Sequence, residues 1–461
     1  MRDDPGEATT PQPSSGSFDV VSEFVFGLET RDFPHATLEK AALLFLDTIG
    51  ICAAAAPMEA GRIGRETAHR FFGSPDASAS AQMLFDGRSA SLPGAVFAAA
   101  TQIDNLDGHD GYNPTKGHIG VVAAPTLAAL AYGRPDLTGQ EALTALVLGY
   151  EVAGRAGIAL HASVSDYHTS GAWNALGVAA MAARVRGLSK DQLREAFGIA
   201  EYHGPRSQMM REIANPTMLH DGSGWGALAG MTAAAMAEQG FTGAPALTIE
   251  DAEAAPHWAD LGEFWQVDHQ YIKPYPVCRW AHPAIDAARE LMQKHELCAD
   301  DIAEIRIATF DNAVALIPGM PDTSSKAQYS LPFAVAAQIV HGTLGLAQIS
   351  GAGLSDPHVA DLVERTVLVA EPRHEARFPE GRWADVRFTL TNGRNVTSGD
   401  VHARGGPERP VSAQEIVAKY HEFADAALGR ARATALAEAI LALPREGSAF
   451  SEVAQHLYAP L

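Results

Sequence analysis

The sequence predicts a mainly α-helical protein, with a large all-helical domain joined to a smaller α+β domain. Three observations lead there. A chain of 461 residues exceeds what one ordinary core supports, so at least two domains are expected. From Asp19 to about Trp265, alanine- and glycine-rich segments repeat at helical spacing. Past residue 266, prolines break that pattern and alternating, β-branched runs begin. The expected divisions are a tail over 1–17, a helical domain over 18–265, an α+β domain over 266–410, and C-terminal helices over 411–461 that pack back onto the first domain.

The stretch Met1 to Ser17 is rich in Pro, Ser, Thr and Asp and lacks an apolar core, so it reads as disordered, with order beginning near Phe18. Leu38 to Ala56 is apolar at helical spacing. It contains Asp47 and is too short and interrupted to span a bilayer. Helices are expected at Pro93–Leu106, Val121–Tyr132 and Gly139–Ala162, the last opened by Thr138 as N-cap with Glu141 at the third helical position. Ala172–Arg186, Lys190–Tyr202 (capped by Ser189) and Gly224–Gln239 follow. Small residues at this density let helix axes approach closely.

The segment Tyr271-Ile272-Lys273-Pro274-Tyr275-Pro276-Val277-Cys278 cannot be helix interior, because it holds two prolines. A helix is expected at Pro283–His295, strands at Ile302–Thr309 and Val367–Val369, and a further helix at Ser330–Gly342. Trp383–Leu390 and Asn395–His402 read as a hairpin around Asn392-Gly393. Ser412 to Leu443 returns to helix, with Ser412 and Glu415 spaced as a capping box.

Hydrophobic residues make up 47% and charged residues 19%, which fits a soluble globular chain. A net charge of −21 repels phosphate backbones and anionic lipid, so no nucleic-acid or membrane partner is expected. A site can still be locally basic and take an anionic substrate. Cys52, Cys278 and Cys298 are few and scattered, which suits a reducing compartment. With no secretory signal visible, a cytoplasmic location is expected.

The densest polar chemistry lies in Asp104-Asn105-Leu106-Asp107-Gly108-His109-Asp110-Gly111-Tyr112-Asn113-Pro114-Thr115-Lys116-Gly117-His118. It gathers three carboxylates, two imidazoles, an ammonium and a phenol on a backbone broken by glycine and proline. Titratable groups crowded together shift one another toward the range where they exchange protons. The alternatives are a solvated polar loop, a calcium loop whose glycine and glutamate spacing is not met here, and a metal site of the HD phosphohydrolase kind, for which His109-Asp110 alone is a weak signal. Other candidates are His168 at a break between helices, and Arg206, Arg211 and His220 in glycine- and proline-broken segments. Lys273, Tyr275, Arg279 and His282 cluster at the domain junction, where ligand clefts commonly form. Ser330 reads as a helix cap. No dinucleotide, P-loop, zincin or nucleophile-elbow pattern stands in a fitting context, which leaves cofactor-free proton transfer.

In their order, Gly117-His118, Tyr167-His168, Leu219-His220-Asp221-Gly222, Lys273-Pro-Tyr-Pro-Val-Cys-Arg279-Trp-Ala-His282 and Gln328-Tyr-Ser-Leu-Pro-Phe-Ala-Val-Ala336 resemble the MmgE/PrpD family, over about residues 19–445. That family includes 2-methylcitrate dehydratase, cis-aconitate decarboxylase and iminodisuccinate epimerase. The resemblance implies a helical domain, an α+β lid domain, a homodimer, no metal or organic cofactor, and a small di- or tricarboxylate substrate. It places functional positions on Asp107, His118, His168 and Lys273. Three positions depart from the decarboxylase branch: Thr217 in place of a lysine, Cys278 in place of a histidine and Phe333 in place of a tyrosine. These departures argue against cis-aconitate decarboxylation.

The expected activity is therefore a cofactor-independent dehydratase acting on a small hydroxy-carboxylate, with an epimerase next and a decarboxylase third. A non-catalytic carboxylate-binding protein is the reading from a different class. His118 is the expected base, oriented by Asp107 or Asp110, with His168 as the acid. Lys273 and Arg279 are expected to bind carboxylate. Substrate contacts are further expected from His109, Tyr112, Lys116, His220, Arg206, His282 and Tyr275, with His109 and Lys116 setting this chain apart from the better-known branches.

Overall fold

The computed structural model describes residues 15–461. Most of the chain is helical, and a smaller part carries a mixed sheet, in agreement with the predicted fold class. The first helix, Ser15–Gly27, starts ahead of Phe18 and takes in Ser15, Gly16 and Ser17 of the expected tail. The remainder of that tail lies outside the described residues.

The predicted helices fall at His35–Ala55, Leu92–Asp104, Gly120–Ala131, Gly139–Ser163, Gly171–Arg186, Lys190–His203 and Ser223–Glu238. Their starts have local causes. The Thr138 hydroxyl accepts from Glu141 N at 3.2 Å, and the Glu141 carboxylate accepts from Thr138 N at 3.0 Å. Ser189 and Gln192 form the same reciprocal pair. The small residues act as expected. A Cβ on Gly177 would stand 2.7 Å from that of Ala153, so helices Gly139–Ser163 and Gly171–Arg186 touch nearly backbone to backbone. Gly139–Ser163 is long and apolar enough to cross a membrane, but it is packed almost wholly inside the protein as a core helix.

The helical part is not purely helical. Strands β1 (Ser80–Gln82) and β2 (Ser89–Ser91) pair antiparallel, and three residues each is too short for a period to register in sequence. Helix Glu59–Phe71 also escapes prediction, because its buried face is built from Ala60, Gly61, Gly64 and Ala68 rather than large apolar side chains.

In the second part, β3 (Ile302–Thr309) lies parallel to β4 (Thr366–Ala370) and antiparallel to β5 (Trp383–Leu390). The hairpin to β6 (Asn395–Thr397) turns at Gly393, whose φ of 83° is left-handed. The strand expected to run on to His402 is interrupted. Ser398 Oγ accepts from Val386 N at 2.9 Å and Gly399 has φ 69°, so β7 (Val401–His402) pairs separately with β5. Helices His282–His295 and Leu331–His341 pack together, and the first of them also covers β5.

The C-terminal stretch holds three helices: Ala413–Leu428 and Arg430–Ala442, broken at Gly429 with φ 75°, and then Ser451–Leu457. The first packs along His35–Ala55. There Asp47, which interrupts an otherwise apolar run, meets its partner: Lys419 Nζ donates to Asp47 Oδ1 at 2.6 Å and to the Gly108 carbonyl at 2.6 Å. All three residues are buried. Removing one member of a buried pair strands the other, so Lys419→Ala is expected to lower the unfolding free energy by about 3–5 kcal/mol in urea denaturation. Replacing both members by apolar residues, Asp47→Leu with Lys419→Met, is expected to recover most of that loss.

Candidate active site

Helix Leu92–Asp104 is capped by Ser91 and ends by delivering the chain into the loop 105–119. Composition alone would leave this loop mobile, but tertiary hydrogen bonds hold it at several points. Gln328 Nε2 donates to the Asn105 carbonyl at 3.0 Å, and Asn105 Nδ2 donates to Met218 O at 2.8 Å. Gly111 and Tyr271 exchange backbone hydrogen bonds of 3.0 and 2.8 Å, with no room for a Cβ at Gly111 against the Tyr271 ring. The backbone of His118 is tied on both sides: its N–H donates to Ser170 Oγ at 3.0 Å, and its carbonyl accepts from Asn174 Nδ2 at 2.9 Å.

The His118 ring has a determined tautomer. Nδ1 lies 2.6 Å from the Asp110 carbonyl, which only accepts, so Nδ1 carries the hydrogen. Nε2 is left with its lone pair, 3.6 Å from Asp221 Oδ2 and 4.0 Å from Asp107 Oδ1. Asp107 is itself held by Lys273, whose Nζ donates to the Asp107 carboxylate and, at 3.1 Å, to its carbonyl. Lys273 is completely buried. Asp221 accepts from Ser170 Oγ at 2.8 Å.

These groups face a cavity of about 40 Å³ between the helical part and the sheet-bearing part. Four cations line it: Lys116, Lys273, Arg279 and Arg382. Arg279 lies over the Tyr271 ring at 4.3 Å and donates to the Ala403 carbonyl at 3.1 Å. Arg382, just ahead of β5, lies over Phe378 at 4.9 Å. The phenols of Tyr167, Tyr271 and Tyr329 complete the polar wall.

Burial and charge set the protonation states. Burial, then the Lys273 ammonium and His109, hold His118 well below the usual imidazole range, so it is neutral. Burial opposes the ionisation of Asp107, but Lys273, with His118 and His109, outweighs it and the carboxyl lies below its ordinary value. Burial, then Asp104, pushes Asp221 up to about 7. Burial lowers Arg279 only to about 10, so it stays charged.

Of the residues singled out in the sequence, Asp107, His118, Lys273, Lys116 and Arg279 are brought together at the cavity. The others are not. The Asp110 carboxyl turns away to accept from the Tyr150 hydroxyl at 2.7 Å and Gly120 N at 3.2 Å; it is the Asp110 carbonyl that orients His118. His109 stands edge-on behind the His118 ring at 4.7 Å, with Nε2 3.7 Å from Asp104, and burial lowers it to about 3. Tyr112 is buried beside Glu151 and Arg155.

His168, the expected acid, is bridged to Gln208 beside His161, Asp166 and the exposed Arg206, away from the cavity wall. His220 faces an outer groove with Asp104, and the next residue, Asp221, takes the place expected for it. His282 sits behind Arg279, with Nε2 3.0 Å from the Val277 carbonyl, and the Tyr275 hydroxyl donates to Asp286 at 2.9 Å. Of the three departing positions, Cys278 lines the cavity, Thr217 is exposed and Phe333 is buried in the core.

Sequence reasoning missed Asp221, Tyr271 and Tyr329 as site residues, although each stands inside a segment that drew attention. Arg382 had no local signal. Among the described residues, His374, Asp385 and Asp400 are the one group whose ligand atoms lie close enough to share a cation, within 4.8 Å. Arg373 bridges both of those carboxylates and Arg377 holds Asp400, so their charge is already balanced.

The pattern of the MmgE/PrpD N-terminal domain matches residues 20–256, and that of the C-terminal domain matches residues 275–444. The chain belongs to the MmgE/PrpD family. Cis-aconitate decarboxylase of Mus musculus is 24% identical over 73% of this chain and 72% of its own length. The Homo sapiens protein of the same name is 24% identical over 71% of each chain. A cis-aconitate decarboxylase-like protein of Aspergillus oryzae is 21% identical over 94% of this chain and 96% of its own. The relatives named as decarboxylases are thereby lyases, and family membership supports an enzyme of lyase type.

Asp221 links this site to stability. Its carboxyl loses its proton near 3.8 when unfolded and near 7 when folded. Below 3.8 both states are protonated; between the two values unfolding releases a proton, so stability falls as pH rises, with the full penalty present above 7. Asp221→Asn is expected to flatten that decline between pH 4 and 7, measured by denaturation across the range.

Proposed function

We propose that the protein is a cofactor-independent hydro-lyase that removes water from a small hydroxy di- or tricarboxylate. The observation that carries the proposal is the neutral His118, with Nδ1 committed to the Asp110 carbonyl and Nε2 open toward the cavity between two carboxyls. A neutral imidazole in that pose is a general base for a proton on carbon. Lys273, Arg279 and Arg382 supply positive charge for substrate carboxylates and for the enolate-like charge that develops when the α-proton leaves.

In the proposed sequence, His118 Nε2 takes the α-proton. The C–O bond breaks, a carbon–carbon double bond forms, and the departing hydroxyl takes a proton from Asp221 to leave as water. The proton on His118 then passes to the Asp221 carboxylate across 3.6 Å, which restores both groups. This gives the acid role to Asp221 instead of His168. A cavity of about 40 Å³ holds a few waters, so a tricarboxylate needs more room than this conformation offers.

Decarboxylation is the second reading, favoured by the names of the relatives. Incubating di- and tricarboxylic acids with the protein in deuterated water, followed by NMR, separates the outcomes. Dehydration yields a conjugated alkene and no carbon dioxide, decarboxylation yields carbon dioxide, and epimerisation yields only α-deuteration. With a substrate in hand, His118→Ala is expected to lower kcat by roughly 10²–10⁴-fold. Wild-type turnover is expected to decline as pH rises past about 7, where Asp221 loses its proton. Unchanged turnover in His118→Ala would remove the histidine from the reaction.

A further inference from the structure

The proposed chemistry leaves one buried pair at the cavity unused. Tyr329 follows helix Ser324–Gln328 as its C-cap and brings its phenol to the cavity wall. Across from it, helix Met209–Ala214 contributes Met209 and Ile213 to the same wall and carries Glu212. The Tyr329 hydroxyl oxygen and Glu212 Oε1 are 2.5 Å apart.

Glu212 is an unusual partner. It is 8% exposed, and its other oxygen, Oε2, is buried with no hydrogen-bond partner among the described residues. An ionised carboxylate left that way is costly, because its desolvation goes uncompensated. The carboxyls around it make ionisation worse. Asp104, Asp107 and Asp221 all act on it, and the nearest ion-pair partner, His220 Nδ1, is 3.9 Å away on an imidazole that burial lowers. Burial, then Asp221, raises Glu212 well above the ordinary carboxyl range, and the carboxyl keeps its proton.

A protonated carboxyl changes what the phenol can do. A phenol oxygen both donates and accepts. Facing an ionised carboxylate, Tyr329 would spend its hydrogen on Glu212. Facing a protonated one, it can accept from Glu212, and its own hydrogen is free for the cavity it lines. The pair then presents one neutral, fixed donor amid cations suited to carboxylates. A neutral donor suits a hydroxyl.

We propose that Tyr329, positioned by Glu212, is a specificity-determining residue that donates a hydrogen bond to the substrate's hydroxyl group. The inference rests on the carboxylate reading above and adds which substituent the site recognises. A site built to pair with a hydroxyl discriminates against the analogue that lacks it, because its own polar group is then left unpaired.

Citrate and tricarballylate carry the same three carboxylates and differ in one hydroxyl, so their affinities by titration calorimetry isolate that contact. The wild-type protein is expected to bind citrate roughly tenfold more tightly. Tyr329→Phe is expected to bring the ratio near one while leaving tricarballylate affinity unchanged. Glu212→Gln, whose amide can still donate to the phenol, should keep the preference, and Glu212→Leu should lose it. A merely structural role for Tyr329 would shift both affinities together. A citrate preference that survives Tyr329→Phe overturns the inference, as does equal binding of the two acids by the wild type. If the wild type binds neither acid, the tricarboxylate form of the carboxylate reading fails and the hydroxyl donor falls with it.

Discussion

The buried ion pair between Lys273 and Asp107 is the contact on which the rest of the site depends. Both residues are buried, one from the domain junction and the other from the glycine-rich loop after helix Leu92–Asp104. Breaking such a pair strands a charge in low dielectric, at a cost of about 3–5 kcal/mol. The pair therefore locks the loop to the junction. It also sets the electrostatics. Lys273 keeps Asp107 ionised, and its ammonium helps to keep His109 and His118 neutral. A base and a carboxylate close to each other would ordinarily raise the imidazole's proton affinity; burial and the nearby cation reverse that here.

Around this pair runs a second layer of buried polar contacts. Lys419 holds both Asp47 and the Gly108 carbonyl, Tyr150 holds the Asp110 carboxyl, and Ser170 holds Asp221 and the His118 amide. Three of these contacts reach the loop itself, from Lys419 to the Gly108 carbonyl, from Tyr150 to Asp110 and from Ser170 to the His118 amide. A backbone with three glycines between residues 104 and 118 has little rigidity of its own, so its geometry is borrowed from these neighbours. The C-terminal helix Ala413–Leu428 takes part in this through Lys419, far from the loop in sequence but directly behind it in space.

Much of the site was legible because its residues lie in dense local strings. Asp107, Lys116 and His118 belong to one polar loop, and Lys273 and Arg279 to one proline-stiffened junction. The expected residues that lie off the cavity have local causes too. In His220-Asp221 the two side chains face different spaces, and residue type favoured the histidine where the fold turned the carboxyl inward. Asp110 was rightly tied to His118, but through its carbonyl, a group every residue carries and no composition argument can single out. His168 sits at the predicted helix break, yet its backbone pairs with Gln208 and its ring stays among His161, Asp166 and Arg206.

Helix periodicity, capping pairs such as Thr138 with Glu141, and the Asn-Gly hairpin are local properties, and the sequence alone determined them along with the fold class. It also determined which chemistry was available, by gathering carboxyls, imidazoles and cations in two strings. Only the tertiary structure decided which of those groups meet. Arg382 reaches the cavity from the approach to β5, and Tyr329 and Glu212 come from elements more than a hundred residues apart in the chain. Protonation was decided there as well, because burial and neighbouring charge, which move Asp221 to about 7 and hold His118 neutral, exist only once distant segments have closed around them.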